Sequence, residues 1–261
     1  MFSTASACRL LLLPIPRIRL GVVSRRMSST SNTRTTSGLS QFSSCELSDA
    51  LIKLSIPHGG HIPDIQLISP GKICSPAYTV KMVLASDTLS PKLTGGHFVD
   101  QAKEGHVVVI DAPPEAKSAV WGGLMSAGAI ARGATGVVIS GNCRDIGEHR
   151  ELGFPVYSRS HSTVGQTPFT RPSEVNVPLT IHPRYPSSIS ASGASEGLFP
   201  AVTVNSGDWV VADEDGVVCV PRELEEKVIE LAERGRAIDE LCMRDIKEGK
   251  GVQASFKLHR G

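Results

Sequence analysis

The sequence predicts one α/β domain, with layered sheets and helices on one side, behind an N-terminal leader that stays outside the fold. Three features carry this prediction. Residues 107–140 read as strand, helix and strand, the pattern of a βαβ unit. The second half of the chain supplies short apolar segments separated by turns, which read as further strands. Residues 1–44 contain six arginines and no acid, a composition unlike the rest of the chain.

The leader, taken as residues 1–42, is rich in Ser, Thr and Arg and holds the apolar run Leu10–Leu13. A basic, Ser-rich, acid-free leader is the composition of a mitochondrial transit peptide. A secretory signal fits less well, because Pro14 and Pro16 break the apolar run and arginines follow it. A disordered tail can have the same composition, and an internal start at Met27 would give a cytoplasmic form. Without those arginines the formal charge of +1 becomes −5, so the body has no electrostatic footprint for nucleic acid or an acidic membrane. No apolar run reaches the roughly 18 residues a membrane span needs. The six cysteines (Cys8, Cys45, Cys74, Cys143, Cys219, Cys242) include no C-x-x-C pair. This argues against a zinc ribbon or disulfide framework and fits a reducing compartment.

The domain is placed at residues 43–248. Ser44–Leu54 reads as a helix that Ser44 can cap, with Leu47, Leu51 and Leu54 on one face. His58 and His61 flank two glycines in a loop and read as solvated. Ala77–Leu84 has strand character, and Phe98–Lys103 is a short helical segment. Val107–Asp111, apolar almost throughout, predicts a strand buried on both faces. A helix from Gly122 to about Arg132 stops at Gly133, a fitting residue just past a helix end. Gly136–Ser140 is a second buried strand, closed by Gly141. Phe154–Arg159, Val175–Ile181, Ala201–Val204, Asp208–Ala212 and Gly216–Val220 are further strands, and His182–Pro200 is a loop. Arg222–Lys247 is helical and broken near Gly235, and residues 249–261 form a loose basic tail.

Parallel topology gives the central stretch, Trp121–Arg150, its meaning. In a βαβ unit the helix begins at the edge where both strands end. The amides of Gly122, Gly123, Leu124 and Met125 should therefore share a crevice with Arg144 and Asp145. A helix start offers unpaired N–H donors and partial positive charge, which suit a carboxylate or phosphate. Gly122 and Gly123 allow close approach to the backbone, and Arg144 adds a planar bidentate donor. Asp145 is a hard oxygen ligand suited to Mg²⁺ or Mn²⁺. Glu148, three residues on, can orient a water or move a proton. Together these groups fit a 2-oxo acid held through its carboxylate and keto oxygens. The same Arg-Asp-x-x-Glu pattern is also commonly a surface helix start with local ion pairs. A P-loop and a nucleophile elbow are excluded, because G-K-[ST] and G-x-S-x-G are absent. His149 is a weak base candidate and is expected to be exposed.

Gly123, twenty residues, Arg144-Asp145, two residues and Glu148 resemble the G-x20-R-D-x2-E/D signature of RraA-like proteins. These are related to 4-hydroxy-4-methyl-2-oxoglutarate and 4-carboxy-4-hydroxy-2-oxoadipate aldolases. The resemblance extends to Glu46–Leu51, Arg150–Val156 and Gly207–Val218, and covers residues 45–247. It implies a three-layer α/β/β sandwich resembling a swivelling domain, assembled as a homotrimer or homohexamer with sites between subunits. It also implies a class II aldolase that needs a divalent metal, Mg²⁺ or Mn²⁺, releases pyruvate and decarboxylates oxaloacetate. By the same resemblance, Gly122, Gly123, Leu124 and Met125 bind the pyruvyl group, Arg144 binds substrate and Asp145 binds metal. One aldolase branch has Asp where Gly123 stands, so Glu148 is the natural source of the second acid here. The stretch His182–Pro200 is longer than is usual in the family.

The leading expectation is thus a metal-dependent lyase in which Arg144 and Glu148 serve catalysis on a small 2-oxo acid. The alternative is a non-enzymatic binding protein, since some family members resemble inhibitors of an RNA-degrading enzyme. A methyltransferase ranks last, because no strand-linked Gly-rich adenosyl-binding motif is present.

Overall fold

The computed structural model describes residues 37–185 and 198–261. Most of the leader, Met27 included, and the middle of the loop expected at 182–200 lie outside the described residues. Residues 37–42, assigned above to the leader, belong to the fold. Leu39 and Phe42 are fully buried against the first helix and the last strands, so this segment is core.

Helix α1 (Ser44–Lys53) is capped by Ser43, one residue ahead of the expected Ser44. Ser43 and Glu46 form a reciprocal capping box, which satisfies two helix-start donors. The Ser44 hydroxyl is instead held by Asp213 at 2.6 Å, tying the helix to a strand end. Helix α2 (Gly123–Ala131) falls where the apolar pattern and Gly133 place it.

The main sheet contains β1 (Gln66–Ser69), β2 (Ile73–Leu84), β3 (Val107–Asp111), β4 (Ala119–Trp121), β5 (Gly136–Cys143), β6 (Val156–His161), β7 (Thr170–Val175), β10 (Trp209–Asp213) and β11 (Gly216–Val220). Its order is β1-β6-β5-β3-β2-β10-β11, with β4 pairing β5 and β7 pairing β2. Strands β2, β3, β5 and β6 are parallel, and β3 pairs β5 residue for residue from Val107↔Gly136 to Asp111↔Ser140. The remaining pairings, except β4 on β5, are antiparallel. A bridge from His61 to Val218 brings the start of the β1 side to β11, so the sheet nearly closes on itself. A separate hairpin, β8 (Leu179–Ile181) with β9 (Val202–Val204), packs Leu179, Ile181, Val202 and Val204 against its inner face.

Alternation along the strands sorts the core. Val107, Val109, Val138 and Tyr157 face the hairpin, while Val108, Ile110, Val137, Ile139 and Val156 face α2. Burial of both faces is what the near-continuous apolar runs encode. The outer face of β10–β11 is covered by α1 and by α4 (Glu225–Lys247), through Leu47, Leu51, Trp209, Val218 and Val228. Helix, sheet and second sheet thus form the layers of a mixed α/β domain.

Several expectations are corrected. The strand expected at 175–181 is two strands, β7 and β8. Asn176 turns the chain at φ 56° and Pro178 lacks a ladder donor. Helix α4 runs unbroken through Gly235, after a 3-10 turn at Arg222–Leu224. Strand β5 passes through Gly141 to Cys143, because the absent side chain lets Ala112 pack there; a Cβ on Gly141 would lie 2.9 Å from that of Ala112. The tail is not loose: α5 (Val252–His259) is fixed by His259 to Asp245 at 2.8 Å and Arg260 to Asp239 at 2.6 Å.

Candidate active site at the edge of the parallel strands

The two ends of the central stretch do meet, and a short strand joins them. Strand β4 leads into α2 and pairs with the far end of β5, Ala119 beside Asn142 and Trp121 beside Cys143. The Arg144 amide then donates to the Trp121 carbonyl at 2.9 Å. The start of α2 and the Arg144-Asp145 turn are therefore held side by side by backbone hydrogen bonds. Sequence reasoning missed β4, since three residues carry too little periodicity to register.

Gly122, the N-cap of α2, is extended and has no capping side chain of its own. Asp145 supplies the missing acceptor from across the site: the Gly123 amide donates to its Oδ2 at 3.1 Å. The Met125 amide turns back to the Gly122 carbonyl at 3.0 Å. Among the described residues, the amides of Gly122 and Leu124 are left without a protein acceptor, so they are free donors at this helix start.

Asp145 has left-handed backbone, φ 60° and ψ 43°. Asp tolerates this conformation better than most side chains, and such strain costs about 1–3 kcal/mol and collects at functional sites. The turn swings the carboxylate back towards α2 while helix α3 (Ile146–Glu151) leads away. Its Oδ2 also lies 3.3 Å from Arg144 Nε. Two glycines flank that guanidinium. A Cβ on Gly122 would stand 2.6 Å from Asp145 Oδ2 and 3.3 Å from Arg144 Nε, and one on Gly165 would stand 2.8 Å from Arg144 Nη1. Gly165 was not legible, because it sits in a loop with no motif around it.

Glu148 lies over the first turn of α2. A Cβ on Gly123 would meet Glu148 Cδ at 2.6 Å and its Cβ at 2.9 Å, so the carboxylate fills the space a side chain at 123 would occupy. Arg144, Asp145 and Glu148 are all exposed, open to a solute.

His149 corrects the expectation of an exposed side chain: it is fully buried between α3 and α2. Its Nδ1 lies 3.0 Å from Ser126 Oγ, which accepts the Trp121 indole N–H at 2.9 Å. Burial lowers its pKa, with the Arg144 backbone, Asp145 and Glu148 acting in the opposite direction. The i, i+3 and i, i+4 faces of so short a helix could not be assigned from its sequence.

Among the described residues, no group of three or more His, Cys, Asp or Glu side chains is poised to enclose a metal. The chain instead offers two hard carboxylates at one edge. That donor set fits a cation such as Mg²⁺, which takes one or two carboxylates and leaves its other positions to water and substrate. Two surface hollows lie elsewhere, along α1 and α4, and share Glu46, Arg236 and Asp239 in their lining.

A family model described as RraA-like, Aldolase/RraA, matches residues 44–219. A Halalkalibacterium halodurans protein named "Putative 4-hydroxy-4-methyl-2-oxoglutarate aldolase" is 30% identical over 177 residues, 68% of this chain and 73% of that protein. The Legionella pneumophila protein DlpA is 26% identical over 212 residues, and the chain spans 31% of its length. Among solved structures, an uncharacterized protein from Pseudomonas syringae pv. tomato superposes with TM-score 0.65 at 27% identity, covering 83% of this chain and 94% of that one. Streptomyces coelicolor RraAS2, described as an unusual member of the RNase ES inhibitor RraA family, gives TM-score 0.62 at 24% identity, covering 77% and 92%. At that identity it supports the fold alone.

Proposed function

The chain belongs to the RraA-like family, and from that premise we propose that it is a divalent-metal-dependent carbon–carbon lyase acting on a small 2-oxo acid. The substrates proposed are 4-hydroxy-4-methyl-2-oxoglutarate or 4-carboxy-4-hydroxy-2-oxoadipate, with oxaloacetate decarboxylated at the same site. The observation that carries this reading is the Asp145–Gly123 hydrogen bond of 3.1 Å. It sets a hard oxygen donor beside an open helix start, with Arg144 and Glu148 on either side.

In cleavage of the hydroxy acid, a base takes the C4 hydroxyl proton. The C3–C4 bond breaks, the hydroxyl carbon becomes a carbonyl, and the electron pair forms the enolate of pyruvate. In decarboxylation, CO₂ leaves and the same enolate forms. Both products need a proton at C3. Stabilising that enolate is the common requirement. Arg144 would bind the substrate carboxylate, and the free amides of Gly122 and Leu124 would face its oxygens. Glu148 would move the proton, directly or through a water it orients. Asp145, through the oxygen not occupied by Gly123, would hold the cation, which supplies positive charge to the enolate when bound.

The test is pyruvate release from each substrate with Mg²⁺ or Mn²⁺, before and after EDTA. Pyruvate formation that EDTA stops and added metal restores is expected. No turnover of any of the three acids would overturn the proposal.

A further inference from the structure

We infer that His149 and Ser126 are positioning residues: they close a ring of hydrogen bonds that fixes Asp145 against the start of α2. The ring can be followed bond by bond. The Trp121 carbonyl accepts from the Arg144 amide at 2.9 Å. Arg144 leads by one peptide bond to Asp145, whose carbonyl accepts from the His149 amide at 3.3 Å. His149 Nδ1 meets Ser126 Oγ at 3.0 Å, and Ser126 Oγ accepts from the Trp121 indole at 2.9 Å, which returns to the first residue. The Gly123–Asp145 bond crosses the ring like a spoke.

Each member is suited to its place. An indole nitrogen only donates, so Ser126 must accept there and can use its remaining capacity on the imidazole. His149 and Ser126 are fully buried, so neither bond competes with water. His149 Nε2 is buried and makes no well-formed hydrogen bond among the described residues; the Arg144 backbone also acts on the imidazole, and Ser126 is the side-chain partner that orients it. Trp121 stacks on Phe154 with ring centroids 6.3 Å apart and planes at 11°, and the Phe154 amide donates to the His149 carbonyl at 3.1 Å. The apolar stack thus clamps the ring from behind. The ring links the helix start to the Arg144-Asp145 turn. A displacement of about 1 Å at such a site can lower a rate on the order of 100-fold.

The experiment compares wild type with Ser126→Ala, His149→Ala, His149→Gln and the double alanine variant, each as the full chain. One arm is amide hydrogen exchange read by mass spectrometry, which needs no ligand and does not depend on the proposed activity. Faster exchange confined to peptides covering 121–126 and 144–150 is expected in both alanine variants. The second arm rests on the function proposed above and measures Mn²⁺ binding by electron paramagnetic resonance in the presence of oxalate, together with kcat and KM for oxaloacetate. Affinity and kcat are expected to fall tenfold or more with KM changed less than threefold. The double variant should be no worse than the poorer single one, and His149→Gln should recover most of the loss. Exchange unchanged at both segments, or raised equally throughout the domain, would overturn the positioning role. Wild type that binds no Mn²⁺ and turns over no 2-oxo acid would instead remove the proposed function and leave the exchange arm to decide the ring.

Discussion

The Glu148 carboxylate occupies the space above Gly123 so fully that a Cβ on that glycine would lie 2.6 Å from Glu148 Cδ. One position in space is therefore served by an acid from α3, and a side chain on the residue beneath it on α2 would displace that acid. This gives a physical reason for the departure noted in the sequence, where a branch of related aldolases carries Asp at the position of Gly123.

The relationship predicts a reciprocal rescue. Gly123→Asp alone should destabilise the protein by about 1–3 kcal/mol through overpacking and abolish turnover. Gly123→Asp with Glu148→Gly removes every colliding atom, Glu148 Cβ at 2.9 Å included, and returns a carboxylate to the same space. Thermal unfolding and pyruvate release together check this. A double variant no better than the single one would show that the two positions are not interchangeable.

Arg144 predicts a loss that charge alone does not restore. Its guanidinium is held between Gly122 and Gly165, a shape that a lysine ammonium does not fill. Arg144→Lys should raise KM for oxaloacetate roughly tenfold or more, the value of about 1.4 kcal/mol in lost binding. Steady-state kinetics on the variant would expose the opposite outcome, an unchanged KM.

Acid stability should depend on a contact far from the site. Glu46 takes hydrogen bonds from Arg236 at 2.6 and 2.9 Å, and that arginine also lies over the Phe42 ring at 4.5 Å. The Arg236 hydrogen bonds, aided by those from Ser43, lower the Glu46 pKa from 4.5 to about 2 against the effect of burial. A carboxylate with a depressed folded pKa contributes stability that is fully present above its unfolded value. It is lost as pH falls from about 4.5 towards about 2. Arg236→Ala should therefore cost about 1 kcal/mol at neutral pH and flatten the loss of stability in that window. Urea unfolding at a series of pH values would test it, and parallel wild-type and variant curves would refute it.

Much of the fold was legible because its signals are periodic. Val107–Asp111 and Gly216–Val220 were bounded correctly from apolar runs alone, and α2 was placed to within a residue at each end. Topology then predicted that Gly123 and Asp145 would be neighbours. What escaped was decided by contacts between distant segments. The role of β4 depends on its pairing with Cys143, and Ser43 rather than Ser44 caps α1 because Asp213 claims the latter. His149 is buried because α3 turns one face to α2, and six residues are too few to show such a face in sequence. Gly165 matters only through a guanidinium twenty-one residues away in the chain.

The most direct measurement is metal-dependent pyruvate release by wild type and Asp145→Ala, assayed on oxaloacetate across a Mn²⁺ titration after EDTA treatment. Wild type should recover activity in a saturable manner, while Asp145→Ala stays at least 100-fold lower at saturating Mn²⁺, the order of loss seen when a charge-stabilising group is removed. An EDTA-resistant rate in wild type, or a rate in Asp145→Ala close to wild type, would contradict a divalent-metal lyase built on this edge.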